Sequence, residues 1–118
     1  MPRPWRETVR DWPAFSARVW YLVQVVSLAK VAAPPAIRAT LAFREPPQDG
    51  RTYVVLLPLP VRLAGQVTAD FLIAAGLEVA SGATVAPLDA VGAHLRVRFA
   101  QDAEGGWHVD RVAAPEKP

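Results

Sequence analysis

Arg96 and Arg98 stand two residues apart in His94-Leu95-Arg96-Val97-Arg98-Phe99, a run in which polar and apolar residues alternate. A period of two places Leu95, Val97 and Phe99 on one face of a strand and His94, Arg96 and Arg98 on the other. Side chains at that spacing emerge about 7 Å apart, close to the separation of successive phosphates on an extended chain. Arginine is a planar donor fork that suits phosphate and also stacks on flat rings. Beyond the polar turn 101–106, Trp107 offers a flat face beside the pair. The same chemistry recurs upstream. Arg38 and Arg44 project from a second alternating strand, Arg51 and Tyr53 belong to a third, and Lys30 ends the first. Cations interleaved with aromatic faces are what binding of a single-stranded polyanion requires, so these eight residues form the candidate binding set. A plainer reading runs beside it. Any half-buried strand turns some polar residues outward, and the arginines then solvate it while Trp107 packs against the core. On either view Arg96 and Arg98 are expected to be exposed, and their replacement to leave the fold intact.

Covalent and acid–base chemistry find little footing. His94 and His108 fall on neighbouring strands with Asp110 close in sequence, but they lack the spacing of a ligand set, and surface positions on a hairpin account for them. Ser16, Ser27 and Ser81 have no G-x-S-x-G elbow. Neither G-x-x-x-x-G-K nor G-x-G-x-x-G occurs. There is no cysteine, which removes disulfides, thiolate metal sites and cysteine nucleophiles together. Asp70 and Glu78 have no partner at an informative spacing. The expectation is a protein that is not an enzyme, with no catalytic residue, cofactor or metal.

A chain of 118 residues, 52% of them hydrophobic, is long enough for one domain with a real core. Its net charge is only +2, and the basic residues are arginines apart from Lys30 and Lys117. That bias suits phosphate recognition and equally follows from GC-rich coding. No uncharged apolar run approaches the ~18 residues of a membrane span, and the charged N-terminus does not read as a signal peptide. A cytoplasmic protein with no membrane partner is expected.

Residues 1–18 read as an N-terminal arm. Trp5, Val9 and Trp12 fall on one side of a short helix opened by Pro4. Residues 19–30 form a long strand rich in Val, Trp and Tyr, broken by Pro34 and Pro35. Residues 36–44 alternate, with Ile37, Ala39, Leu41 and Phe43 inward and Arg38, Thr40 and Arg44 outward. A turn ending in Asp49-Gly50 leads to a third strand, 51–59. The period then lengthens. Leu63, Val67, Phe71 and Ala74 recur at helical spacing within 61–75, the first three of them expected to be buried, with Gly76 as the left-handed stop. Pro87 to Ala90 makes one helical turn before the fourth strand, and the fifth begins at Trp107. Residues 19–114 are thus one domain and 115–118 a frayed tail.

Three strands, a helix and two more strands is the order of the OB-fold, a partly open five-stranded barrel whose long first strand serves both sheets. The expected class is mainly β, an OB-fold-like barrel with one helix between strands three and four plus the N-terminal arm; an open α+β sheet is the rival. The C-terminal half resembles small OB-fold single-stranded-DNA-binding proteins of phage and mobile elements. The resemblance rests on Phe71-Leu72-Ile73-Ala74-Ala75-Gly76-Leu77, then Leu88-Asp89-Ala90-Val91-Gly92, then the basic strand from Leu95. It implies a non-catalytic protein that binds single-stranded nucleic acid, DNA by preference, through a basic barrel face. The other reading is a small interaction module, an accessory subunit of a nucleoprotein complex, that binds protein through its Trp-rich arm or forms a homo-oligomer by strand pairing.

Overall fold

The alternation in the sequence becomes one antiparallel sheet. The computed structural model describes residues 15–46, 48–63 and 66–115. Its strands are β1 (Tyr21–Ala32), β2 (Pro35–Phe43), β3 (Thr52–Pro58), β4 (His94–Gln101) and β5 (Trp107–Ala113), with one helix, α1 (Val67–Ala74), and a 3-10 turn at Pro87–Ala90. The strands lie in the order β3-β2-β1-β4-β5. Strands β3 and β5 are the two edges of this sheet, which is open.

Register explains which side is buried, because directly paired residues share a face. Val23 pairs with Phe43 and Leu95, Leu41 with Tyr53, and Ile37 with Leu57. These rows form one apolar face in which Val23, Leu41, Leu57, Leu95 and Val97 are wholly buried. Helix α1 covers that face with Phe71 and Leu72, also fully buried. In β2 the expected inward set Ile37, Ala39, Leu41 and Phe43 is buried, and Arg38 and Arg44 are exposed.

Two bulges interrupt the alternation. Val26 is the extra residue between the Val25–Leu41 and Ser27–Thr40 pairs, and a second shift falls opposite Arg98 and Phe99. A bulge sharpens local twist and bends its strand. Past the first one, β1 leaves β4, which it pairs only over Tyr21 to Gln24, and continues to Ala32 against β2 alone. Strand β1 therefore runs beyond Lys30, and Pro35, expected to stand outside the sheet, begins β2, where a missing N–H costs least.

The helix is shorter than its apolar stripe predicts. Leu63 lies outside it, 46% exposed, and Val67 is half-buried at its first turn. The reason is a set of local side-chain bonds. Gln66 Oε1 accepts from the Arg62 amide at 2.6 Å, and Gln66 Nε2 donates to the Pro60 carbonyl at 3.0 Å. Thr68 Oγ1 donates to the Pro58 carbonyl at 2.7 Å. These bonds hold the segment after β3 as a loop and postpone the helix to Val67. Its other end follows the expectation, with Gly76 at φ +95° and the Leu77 amide donating to the Leu72 carbonyl at 3.0 Å.

The postulated helix of Trp5, Val9 and Trp12 lies outside the described residues, as does the tail beyond Pro115. Phe15, grouped above with the arm, is a core residue: it is 7% exposed and stacks on Phe99 with ring centres 4.0 Å apart and planes 2° from parallel.

Candidate nucleic-acid interface

The hairpin of β4 and β5 is shaped by its turn. Asp102 Oδ1 accepts from the Glu104 amide at 2.9 Å and the Gly106 amide at 2.8 Å, while Gly105 takes φ +90°, a conformation that side chains disfavour. This closure sets β5 against β4 with Arg98 opposite Arg111 and Arg96 opposite Ala113. Leu22 of β1 is the partner of Arg96 on the other side, and the Leu22 carbonyl accepts from the Arg44 amide at 3.0 Å. Arg44, Leu22 and Arg96 thus form a row across three strands on the face opposite the core. Arg44 donates through Nε and Nη2 to Gln24 Oε1, at 3.0 and 2.9 Å.

Trp20 completes this face. Just ahead of β1, it sits with its ring beneath both guanidinium carbons, 5.3 Å from Arg96 and 5.5 Å from Arg98. Such cation–π contacts contribute ~0.5–1 kcal/mol each near a surface. Arg96 Nε also donates to the Ala114 carbonyl at 3.1 Å. Both arginines are consequently half-buried rather than exposed, which corrects the expectation that they are free of the fold. The Arg98 Nε is buried with no hydrogen-bond partner, so the Trp20 ring is the contact that holds its guanidinium. Within the five strands, Asp110 is the sole acidic residue, set against Lys30, Arg38, Arg96, Arg98 and Arg111.

The other candidates divide. Tyr53 and Trp107 belong to the core side of the sheet: the Tyr53 hydroxyl donates to the Trp107 carbonyl at 3.1 Å, bridging the two edge strands. Phe15 meets both rings edge-on, Tyr53 at 5.0 Å and Trp107 at 5.8 Å. Burial, reinforced by the Asp102 carboxylate, pushes the Tyr53 phenol above its ordinary 10.0. Arg51 is exposed just before β3, with its carbonyl accepting from the Phe43 amide at 2.8 Å. Arg38 is exposed between Ala29 and Leu56, and Lys30 is exposed opposite Ile37, near the other end of β1 and β2. The structure therefore brings together Arg44, Arg96 and Arg98 but sets Lys30 and Arg38 apart from them.

Sequence reasoning missed Trp20 and Arg111. The alternation that buries Val23 and Val25 already turns Trp20, Leu22 and Gln24 outward, so the signal for Trp20 was available. Arg111 is hidden by the bulge, which leaves both Asp110 and Arg111 exposed between Val109 and Val112. Among the described residues, no three His, Asp or Glu side chains gather as a metal site, and no helix is long and apolar enough to cross a membrane. Comparison with models of known protein families finds no match, and comparison with curated proteins likewise finds none.

Proposed function

We propose that this chain is a non-catalytic, cytoplasmic protein that binds single-stranded nucleic acid on the outer face of β1, β4 and β5. The observation that carries the reading is the pair Arg96 and Arg98 over one Trp20 ring, with Arg111 beside Arg98 and Arg44 in the same row as Arg96. Cations spaced along a strand neutralise successive phosphates, and an aromatic face beside them stacks a base without regard to its identity. The fold belongs to the same proposal. A strand order β3-β2-β1-β4-β5 with the helix between β3 and β4 is that of an OB-fold unrolled at the junction of β3 and β5. Here the Tyr53–Trp107 bond and Phe15 occupy that junction, which supports a barrel closed by side chains in place of a ladder.

Fluorescence-polarisation titration with oligo-dT at several salt concentrations tests the reading. Single strands give a log–log slope of about 0.7 per neutralised phosphate, so four arginines predict a slope of magnitude about 3. Flat salt dependence, or no binding at low salt, overturns it and favours a protein-interaction module.

A further inference from the structure

An apolar cavity lies away from the arginine face, at the far end of β1. It encloses about 610 Å³, within the range of ligand sites, between Leu28 and Ile37 of the sheet, Leu59 and Val61 after β3, and Val85 and Leu88 of the segment that leads to β4. Leu88 forms its lip and is 68% exposed. Three features give this groove a particular shape. Successive residues of a strand point to opposite faces, yet Leu28, Ala29 and Lys30 all line it. A cavity that touches three consecutive strand residues lies along the strand's edge. Among the described residues that edge is open: past the Val26 bulge, residues 27–32 pair with β2 and carry no ladder on the side where β4 lay. At ~3.3 Å per residue the open edge is about 20 Å long. Finally, Lys30 pairs with Ile37 and so belongs to the core side of the sheet, where it is the one charged residue of the groove and, among the described residues, its ammonium makes no ion pair or hydrogen bond.

We infer that this groove binds an extended peptide, the apolar C-terminal tail of a partner protein, as a strand added to the edge of β1. The main chain of the tail pairs with the open edge, alternate side chains fill the pocket between Ile37 and Val85, and the terminal carboxylate meets the Lys30 ammonium. Main-chain pairing supplies affinity in such complexes, and the pockets for alternate side chains supply selectivity. An unpaired strand edge is otherwise a liability that proteins cover or charge. Lys30 as an inward charge serves that protective purpose when no peptide is bound, and the carboxylate neutralises it on binding. The inference is independent of the nucleic-acid reading, because none of its residues belongs to the arginine face.

The test is selection on the intact 118-residue protein with a random hexapeptide library displayed with free C-termini. The expected result is enrichment of sequences with Val, Ile, Leu or Phe at alternate positions. A fluorescent copy of an enriched peptide should lose at least tenfold in affinity on C-terminal amidation and a similar factor with Lys30→Glu. Leu88→Asp, at an exposed position, should weaken it severalfold with unchanged thermal stability. Arg96→Ala should leave it unchanged, and oligo-dT should not displace it. Failure to enrich any sequence overturns the inference, as does an enriched peptide that ignores amidation and Lys30→Glu. Displacement by oligo-dT merges the two surfaces and overturns it as well.

Discussion

Replacing Arg96 and Arg98 together by alanine removes two of the four guanidiniums proposed to meet phosphates. At about 0.7 per contact, the salt slope should drop from about 3 to about 1.4. Extrapolated from 1 M, where counterion release adds nothing, each contact is then worth ~0.7 decades at 0.1 M salt. The double variant should therefore bind oligo-dT roughly 25-fold more weakly, a loss of about 2 kcal/mol. The fold also loses something. Two cation–π contacts with Trp20 at ~0.5–1 kcal/mol each, and the Arg96–Ala114 hydrogen bond at ~1 kcal/mol, sum to about 2–3 kcal/mol. A domain with an ordinary stability of ~5–15 kcal/mol remains folded after that loss. Titration at three salt concentrations and a thermal melt on the same samples read both quantities. Arg111→Ala isolates binding, because its side chain is exposed: affinity should fall about fivefold with the melting temperature nearly unchanged. Arg38→Ala, on a separate part of the sheet, should change neither. A folded double variant that keeps the parent slope refutes the assignment of this face.

Trp107→Ala should act on stability before binding, since the ring is half-buried against Phe15. A loss of roughly 2 kcal/mol, below the ~3–5 of a wholly buried aromatic, is expected in a chemical-denaturation curve, with an unchanged salt slope. Phe71→Ala should cost ~3–5 kcal/mol by the same measurement, because Phe71 is fully buried beneath α1. Tyr53 contributes an alkaline pH dependence. Its phenol is harder to ionise folded than unfolded, so the stability it contributes is complete below about 10 and is lost as pH rises through the higher folded value. Tyr53→Phe should melt with a shallower decline between pH 9 and 11 than the parent; equal declines would place the alkaline sensitivity elsewhere.

Period-two patterning was enough to read β2 and β4 from the residues alone. Ile37, Ala39, Leu41, Leu95, Val97 and Phe99 are buried where alternation puts them. Local chemistry also sufficed at Gly76 and at Pro87–Ala90, where backbone preference and structure agree. What escaped depends on particular side-chain bonds and on register shifts that no periodic pattern announces. The start of α1 is decided by Gln66 bonding back to the Pro60 carbonyl, a choice invisible in an apolar stripe that runs through from Leu63. The bulges at Val26 and Asp110 break the period in the stretches where the faces of β1 and β5 must change. Trp107, read as a free stacking face, lies on the core side because the bulge at Asp110 resets the faces of β5 and Phe15 docks against its ring.

Phe15 also bears on the order in which the molecule assembles. Two of its partners, Phe99 and Trp107, are far from it in sequence, on the last hairpin of the sheet. Closing so long a loop is an entropic cost that must be met before the ring contacts return anything. Strands β1, β2 and β3 form a meander of near neighbours, whereas the aromatic cluster joins residues more than eighty positions apart. Topologies dominated by such distant pairings fold slowly. Tyr21, Phe43 and Tyr53 can meet Phe15 within the meander, whereas its closest stack, on Phe99, is made only when β4 joins the sheet.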